Sequence, residues 1–390
     1  MIQKLRTVFE EKYGKEGDIR TYFAPGRVNL IGEHTDYNGG HVFPCALTLG
    51  TYAVARKRDD RKLKFYSMNF EKTGIVETSL DDLTPYKEAG WTNYPKGVMW
   101  TFEKRGYTIP CGLDVLIYGD IPNGSGLSSS ASLEVLTGVM LKDMFGFDNV
   151  SMVEIAQIGQ YSENNFNGCN CGIMDQFASV FGKAGCLMRL DCRSREFEYF
   201  PFMPEGYKLV LLDSVVKHEL AGSPYNDRRN SCENVVKHIA AKHPEGTFET
   251  LRDCTWEQLE EVKAEVGEED YRRAKFVLGE KDRVLAVCEA LNEGDYETVG
   301  QKMYETHEGL SKDYEVSCEE LDFLNDIAKE NGVTGSRIMG GGFGGCTINL
   351  VKANIYNKFI ADAKAKFAAK YGHEPKVYDV VIGDGSRKIC

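Results

Sequence analysis

A glycine- and serine-rich segment from Pro122 to Ser132 has the composition of a phosphate-binding loop. It lies between an apolar run at Leu113 to Tyr118, which predicts a strand, and a run at Ser132 to Phe145 with helical apolar spacing. Glycine lets backbone N–H groups approach an anion closely, and the start of the next helix offers unpaired N–H groups and the positive end of its dipole. The segment favours phosphate binding, although it lacks the lysine of a Walker A loop. An ordinary glycine turn with serine caps is the alternative.

A second cluster of polar side chains lies between Gly26 and Gly40. Glu33, His34 and Asp36 are the donor and acceptor types needed to bind the hydroxyl groups of a sugar. Arg27 can provide a fixed charge beside a transferring phosphoryl group. The competing interpretation is structural, with Arg27 paired to a carboxylate and His34 bonded to a backbone carbonyl.

Two acidic residues flank a cysteine- and glycine-rich segment that follows a predicted helix from Val153 to Asn165. Glu163 is expected near the end of that helix, and Asp175 near the start of the next one. Phosphoryl transfer to an alcohol needs charge neutralisation and a proton acceptor, which suits a magnesium ligand and a general base. Asp175 as a simple helix cap is the alternative. The glycines from Gly340 to Gly345, expected between a helix and a strand, suggest backbone lying close to a ligand or to another loop. A tight helix-to-strand connection is the equal alternative.

The remaining elements must position these segments. The first half reads as β-rich, and the second half as helix-rich with charged faces that we expect to be solvated. A boundary is expected near residues 201–206. Further strands are predicted at 21–24, 42–49, 52–56, 63–67, 187–190, 208–213, 347–351 and 377–382, and further helices at 1–13, from 174, 228–242, 257–266, 271–291 and 318–331.

The composition restricts the class of protein. The chain has 390 residues, of which 42% are hydrophobic, so two domains with large cores are expected. The formal net charge of -12 argues against a nucleic-acid or anionic-membrane surface. Neither a signal-peptide pattern nor an apolar run long enough to span a membrane is found. The twelve scattered cysteines are expected to be free thiols in a reducing compartment, which predicts a cytoplasmic protein.

Taken together, these segments resemble the galactokinase branch of the GHMP family of sugar and metabolite kinases. The three motifs of that family correspond here to Gly26 to Gly40, Gly124 to Ser132 and Gly340 to Gly345. The resemblance extends from about Phe23 to Leu350, and the sequence Glu-His-Thr-Asp-Tyr beside Arg27 indicates the galactokinase branch. Pro224, where the family usually has an acidic residue, is one departure, and Phe276, where histidine is common, is another.

Carried over by position, the resemblance implies a role for each segment. Asp175 becomes the catalytic base, and Arg27 stabilises that carboxylate and the developing charge. Ser130 and Glu163 become the ligands of Mg²⁺. The residues implied to contact the sugar are Glu33, His34, Thr35, Asp36, Gly172 and Tyr225. The residues implied to hold the phosphates of ATP are Gly124, Ser125, Gly126, Leu127, Ser128, Ser129 and Ser130.

The resemblance also implies an α+β fold of two domains with the active site between them. Residues 1–205 would form an α/β domain like that of ribosomal protein S5, and residues 206–390 a ferredoxin-like domain whose last strand could pack back on the first. The implied reaction is transfer of the γ-phosphate of ATP to the anomeric hydroxyl of galactose, the first step of galactose use after ring-form interconversion. A kinase for N-acetylgalactosamine or arabinose, and a non-catalytic galactose sensor, are the alternatives. A monomer is expected, with a homodimer left open.

Overall fold

The computed structural model describes residues 1–122, 124–202, 204–216 and 224–390. Asn123 in the predicted phosphate loop and Met203 in the predicted boundary lie outside these ranges, as does the side chain of Pro224. The strands are β1 (Arg20–Asn29), β2 (His41–Val42), β3 (Pro44–Lys57), β4 (Lys62–Ser67), β5 (Val76–Ser79), β6 (Leu113–Gly119), β7 (Cys186–Asp191), β8 (Phe197–Pro201), β9 (Tyr207–Asp213), β10 (Gly335–Ile338), β11 (Cys346–Lys352), β12 (Lys376–Asp379) and β13 (Arg387–Lys388). The helices are α1 (Ile2–Tyr13), α2 (Asn93–Lys104), α3 (Ser129–Phe145), α4 (Met152–Ser162), α5 (Met174–Phe181), α6 (Pro224–Lys242), α7 (Trp256–Val266), α8 (Glu268–Glu293), α9 (Tyr296–Lys312), α10 (Glu319–Glu330) and α11 (Tyr356–Tyr371).

The largest sheet has the strand order β13-β1-β3-β6-β4-β5, and β4 and β6 form its parallel pair. Side chains alternate between the two faces of a strand, so neighbouring residues enter different cores. On β6, Val115 and Ile117 pack into the core that α2, α3, α4 and α5 share. Leu116 points the other way, against Leu5 and Phe9 of α1. This sheet and its helices carry both the predicted phosphate loop, between β6 and α3, and Asp175 on α5.

A second sheet has the strand order β10-β11-β9-β12, and each neighbouring pair is antiparallel. Numbered along the chain, its strands lie in the order 2-3-1-4, with helices between the first and second strands and between the third and fourth. This is the ferredoxin-like arrangement, so the α+β expectation is confirmed. A smaller sheet joins β2, β7 and β8.

The end of the chain returns to the first sheet. β12 pairs with β9, Ile382 then forms a bridge with Leu47, and β13 pairs with β1 through Phe23 and Arg387. The division at residue 205 stays a prediction, although the first strand of the second sheet begins at Tyr207.

Several element predictions need correction. The two strands predicted at 42–49 and 52–56 are one strand, β3, because its pairing with β1 continues through Gly50. Glycine is needed at this position because a side chain there would collide with the backbone of Ala24. The glycines from Gly340 to Gly345 connect strand β10 to strand β11, and not a helix to a strand. The predicted last strand at 377–382 is shorter, at Lys376–Asp379. Helices α2, α9 and α11 were not predicted.

Two findings concern the wider character of the chain. Within the described ranges, no helix is both long enough and apolar enough to cross a membrane. All twelve cysteines lie in those ranges, and none of them forms a disulfide there.

Candidate active site

The phosphate loop leads into α3, and the amino end of this helix faces a cleft. Gly124 and Gly126 have φ angles of 75° and 76°, and Ser128 has a φ of 60° at the N-cap of α3. Left-handed φ values are accessible to glycine but uncommon for serine, so the strained Ser128 needs support from its neighbours. That support includes a hydrogen bond of 2.5 Å from its hydroxyl to Asp175. The amino end of a 17-residue helix therefore faces the cleft beside Asp175.

Arg27 and Asp175 form a two-pronged ion pair at the base of this cleft. The guanidinium donates from Nε to Oδ1 at 2.7 Å and from Nη2 to Oδ2 at 2.9 Å. Its Nη1 donates to the carbonyl of Gly126 at 2.7 Å, which ties the ion pair to the phosphate loop. The side chain of Arg27 is 5% exposed and that of Asp175 is 28% exposed. The carboxylate thus remains accessible from the cleft while the arginine is buried behind it.

Glu33 is held by a fully buried arginine from the second sheet. Nη1 of Arg337 on β10 donates to Glu33 at 2.9 Å, and the backbone N–H of Gly340 donates to the same oxygen at 3.0 Å. The guanidinium also donates to the carbonyls of Leu30 and Asn29. Arg337 therefore holds both the backbone and the carboxylate of the Glu33 loop, by which we mean residues 29–40.

His34 lies in the cleft wall with an unusual backbone and a neutral ring. Its φ is 61°, and its carbonyl accepts a hydrogen bond of 2.9 Å from Asn38. Burial, followed by the nearby charge of Arg228, lowers the pKa of His34 to about 3. Its Nδ1 lies 2.8 Å from the hydroxyl of Tyr37, whereas the buried Nε2 has no hydrogen-bond partner within the described residues.

Asp36 and Gly172 lie against each other at the edge of the cleft. A Cβ atom at position 172 would be 2.1 Å from Oδ2 of Asp36, so only glycine leaves room for this carboxylate. Burial, and next the charge of Asp175, raise the pKa of Asp36 to about 7. The carboxyl groups of Asp36 and Asp175 thus lie in one cleft in different environments, because Asp175 is paired with the guanidinium of Arg27.

The structure brings four of the six predicted sugar-contact residues together in one cavity, which Thr35 and Gly172 do not line. Glu33, His34, Asp36 and Tyr225 line the same cavity of about 630 Å³ as Arg27, Asp175 and the phosphate loop, and the Tyr225 ring lies 5.5 Å from that of His34. Thr35 does not line this cavity. It is 1% exposed, and its hydroxyl bonds to the backbone carbonyls of Gly32 and His41, which places it in the support of the Glu33 loop.

Ser130 and Glu163 face each other across the cavity wall. Glu163 opens a π-helical turn at Glu163–Asn167 rather than ending a regular helix, and its Oε2 is buried with no hydrogen-bond partner within the described residues. Burial raises the pKa of the Glu163 carboxyl, whereas the adjoining Ser130 hydroxyl and Glu134 lower it. Burial and the Glu163 charge also raise the pKa of Glu134, which accepts a bond of 3.0 Å from Gln176.

Sequence reasoning missed three charged residues that support the site: Glu134, Glu280 and Arg337. The charges of the second half were expected to be solvated, yet Glu280 on α8 is fully buried and accepts the backbone N–H groups of Gly32 and Glu33 at 2.8 and 3.3 Å. Arg283 and Thr306 complete its bonds. A signal existed for Glu134, since it is the only charged residue between Ser129 and Leu141. Glu280 has no such signal, because it lies in a helix with many charges.

The third glycine motif packs against the phosphate loop. A Cβ atom at Gly345 would lie 3.1 Å from the backbone of Ser125, and one at Gly340 would lie 3.2 Å from the carbonyl of Gly126. Of the two alternatives for these glycines, close approach to a neighbouring loop is therefore observed. The contact joins the second sheet to the predicted phosphate loop.

Comparison with known proteins defines the class first. Models of the N-terminal and C-terminal domains of GHMP kinases match residues 93–183 and 288–365. A mevalonate kinase from Methanococcus jannaschii shares the fold with a TM-score of 0.63 over 95% of this chain and 99% of its own, at 18% identity. The fold and its phosphate loop are thus those of the GHMP kinases, whose members use ATP.

Within that class, the chain is similar in sequence to galactokinases. A galactokinase galactose-binding signature matches residues 7–57. The galactokinase of Clostridium acetobutylicum is 46% identical over 388 residues, covering 99% of this chain and 98% of the relative. That of Bacillus subtilis is 42% identical over 390 residues, covering 100% and 99%. The crystal structure of Lactococcus lactis galactokinase complexed with galactose matches all of both chains with a TM-score of 0.94 and 37% identity. The chain belongs to the galactokinase family.

Proposed function

We propose that this chain transfers the γ-phosphoryl group of ATP to the anomeric hydroxyl of α-D-galactose, which yields galactose 1-phosphate and ADP. The observation that carries the proposal is the Arg27–Asp175 ion pair, which lies in one cavity with the phosphate loop and with Glu33, His34 and Asp36. A reactive carboxylate is thereby placed where a sugar hydroxyl and a nucleotide phosphate can meet.

Asp175 serves as the proton acceptor in this mechanism. Its carboxylate is the accessible member of the ion pair and opens on the cavity. A general base must reach the hydroxyl that loses its proton, and a sugar held by the Glu33 loop brings that hydroxyl to the carboxylate. The proton moves from the anomeric oxygen to Asp175 as the bond between that oxygen and phosphorus forms, and ADP leaves.

Arg27 acts through charge and position. Its two bonds fix the plane of the Asp175 carboxylate, and its bond to Gly126 fixes the distance from the carboxylate to the phosphate loop. Phosphoryl transfer depends mainly on positioning and electrostatic stabilisation. The buried guanidinium of Arg27 therefore stabilises the negative charge that develops between Asp175 and the transferring phosphoryl group.

The loop from Gly124 to Ser130 holds the phosphates of ATP. Its glycine backbone and the amino end of α3 provide N–H donors, and Ser128 and Ser129 add hydroxyl groups. Gly345 and Gly340 lie against this loop, so the second sheet supports it from behind.

The residues present fit a magnesium ion. The buried Oε2 of Glu163 has no hydrogen-bond partner within the described residues, and the Ser130 hydroxyl adjoins the same carboxyl group. Mg²⁺ commonly takes one or two protein oxygens and completes its shell with phosphate and water. Ser130 and Glu163 would hold the ion, which when bound neutralises charge on the phosphates.

Glu33, His34 and Asp36 recognise galactose in this proposal, because all three line the cavity. Each side chain is held by a neighbour: Glu33 by Arg337, His34 by Tyr37, and Asp36 by its close packing against Gly172. A site that hydrogen-bonds a hydroxyl rejects a sugar that misplaces it, by as much as about 10⁴-fold. N-acetylgalactosamine, arabinose and glucose are the informative competitors, since each changes one group around the ring.

The deciding experiment is ADP release from ATP with each monosaccharide in turn. We expect galactose to give the highest kcat/KM, with glucose lower by orders of magnitude. A preference for N-acetylgalactosamine or arabinose would replace the substrate but keep the reaction. Galactose binding by calorimetry without any ADP release would indicate the sensor and contradict the proposal.

Three further properties belong to the proposal. The ATP- and sugar-binding residues up to 205 and the ferredoxin-like part from 206 form two domains, the chain is a monomer, and it works in the cytoplasm. Light scattering during size-exclusion chromatography tests the monomer, and limited proteolysis tests the boundary.

A further inference from the structure

A chain of hydroxyl groups runs from the ring of His34 into the helical part of the second domain. Nδ1 of His34 lies 2.8 Å from the hydroxyl of Tyr37, which lies 2.7 Å from the hydroxyl of Tyr314. The thiol of Cys232 lies 3.5 Å from that second hydroxyl. At the other side of the ring, Nε2 is buried without a hydrogen-bond partner within the described residues, and His34 as a residue lines the cavity.

The chemistry of these groups selects one direction for the hydrogen bonds. An imidazole nitrogen is a strong acceptor, whereas a thiol is both a weak donor and a weak acceptor. The strongest chain is therefore the one in which Tyr37 donates to Nδ1, Tyr314 donates to Tyr37, and Cys232 is left with the weakest bond. Asn38 already donates to the Cys232 sulfur at 3.6 Å, which leaves the thiol hydrogen free to point at Tyr314.

We propose that Tyr37 and Tyr314 are positioning residues that hold His34 in the tautomer with its proton on Nε2, so that His34 donates a hydrogen bond to one hydroxyl of the sugar. The inference deepens the proposed function and rests on it for the identity of the sugar. With the opposite tautomer, Nε2 would be an acceptor, and the same hydroxyl would have to donate instead.

The surroundings hold this arrangement in place. The backbone of His34, at a φ of 61°, is fixed by Asn38, and the carbonyl of Tyr314 accepts a bond of 2.8 Å from Arg228. The Tyr314 ring lies 4.7 Å from that of His34 and 5.0 Å from that of Phe276. Burial and the charge of Arg228 lower the pKa of the ring, against a smaller opposing effect of the Gly341 backbone, so the ring is neutral and its single proton lies on one of the two nitrogens. The bond between Tyr37 and Nδ1 favours the proton on Nε2.

The first test is the tautomer of His34 in the sugar-free protein, read from the long-range ¹H–¹⁵N couplings of its ring. His34→Gln identifies the resonance among the seven histidines. In the parent, we expect Nδ1 to have the ¹⁵N chemical shift of a ring nitrogen that carries no proton. In Tyr37→Phe, which keeps the aromatic ring but loses the hydroxyl, we expect a mixture of the two tautomers. Tyr314→Phe should give a smaller change in the same direction, since Tyr37 remains.

Tyr304→Phe is the matched control. Its hydroxyl also bonds within the protein, to the carbonyl of Val333 at 2.9 Å, but it lies on α9 away from the ring. It should leave the His34 signals unchanged. A proton on Nδ1 of His34 in the parent would overturn the proposal, and so would an unchanged tautomer in Tyr37→Phe. The parent spectrum decides even if a variant does not fold.

The second test uses galactose and its single-deoxy analogues. In Tyr37→Phe the KM for galactose should rise about 3- to 10-fold, the size of one hydrogen bond, while kcat changes little. For the deoxy sugar that lacks the partner of His34, parent and Tyr37→Phe should have the same KM. Equal losses on every analogue would contradict a specific role. If the parent phosphorylates no galactose at all, the proposed function fails, whereas the tautomer measurement stands by itself.

Discussion

Asp175 accepts hydrogen bonds from two nitrogens of Arg27, at 2.7 Å and 2.9 Å, although the two residues are separated by 148 positions in the chain. Arg27 lies in β1 at the point where the pairing with β3 shifts register, and Asp175 is the second residue of α5. The geometry gives the carboxylate a fixed plane and a fixed counter-charge, and the proposed role of Asp175 as a general base rests on this arrangement.

Replacing Asp175 by asparagine should lower turnover by about 10² to 10⁴, because the amide keeps the shape but removes the proton acceptor. Galactose affinity measured by calorimetry should fall by about tenfold or less, near 1.4 kcal/mol. Asp191→Asn is a matched control, since Asp191 also makes a two-pronged pair, with Arg252 at 2.5 and 2.6 Å, outside the cavity. Turnover above about a tenth of the parent would exclude Asp175 as the general base.

Removing Arg27 should damage the same step as removing Asp175. Arg27→Ala should depress turnover, and Arg27→Ala combined with Asp175→Asn should be little worse than the more damaging single variant, because residues that act as a unit are not additive. Single-turnover kinetics, with the enzyme in excess over galactose and ATP saturating, measure the effect. Losses that multiply in the double variant would show that the two residues act independently.

Glu163→Gln should raise the Mg²⁺ concentration needed for half-maximal rate, since the amide is a poorer ligand for a hard cation. Galactose affinity by calorimetry should be nearly unchanged, because Glu163 adjoins Ser130 of the phosphate loop rather than the Glu33 loop. Glu154→Gln on the preceding helix α4 provides the control, since Glu154 bonds to Tyr107 and does not line the cavity. An unchanged Mg²⁺ requirement would make Glu163 a structural residue.

Arg337→Met should reduce the free energy of unfolding by about 3–5 kcal/mol, because it leaves the carboxylate of Glu33 buried without its partner. Adding Glu33→Gln should recover part of that loss. Urea denaturation measures both. Arg272→Met removes an exposed pair with Glu315 and should cost less than about 1 kcal/mol. An equally small loss for Arg337→Met would contradict its role as the anchor of the Glu33 loop.

Asp36 should make stability depend on pH below neutrality. Its pKa is raised to about 7 in the folded protein, whereas an unfolded aspartate has a pKa near about 3.9. Between these values the folded state binds the additional proton, so the contribution of Asp36 to stability decreases as pH rises from about 4 to about 7. The difference in unfolding free energy between the parent and Asp36→Asn should follow this trend and level off above it. The Glu134 and Glu163 carboxyls titrate in both proteins, so their contributions cancel in this difference. A difference in unfolding free energy that does not change with pH would contradict the prediction.

The candidate chemical groups could be located from the sequence alone, although their roles stay predictions. The phosphate loop and the Glu33 loop are each formed by residues close together in the chain, so composition and spacing indicate groups suited to phosphate and to sugar hydroxyls. The role of Asp175 as a base came from the family resemblance. The strand, loop and helix from β6 to α3 were predicted for the same reason, because period and glycine content are local properties.

The supports of the site depend on tertiary structure. Arg337, Glu280 and Tyr314 reach the Glu33 loop from positions more than about 240 residues away. Nothing in their own neighbourhood distinguishes a buried charge from a solvated one, and Glu280 was therefore assigned to the surface. Thr35 shows the reverse case, since its neighbours contact the cavity but its own hydroxyl turns to the backbone. The sequence by itself determined which chemical groups are available, whereas the packing of the second sheet and its helices against the first decided which of them are desolvated, paired and aimed at the substrate, because burial and orientation depend on residues that are distant in the chain.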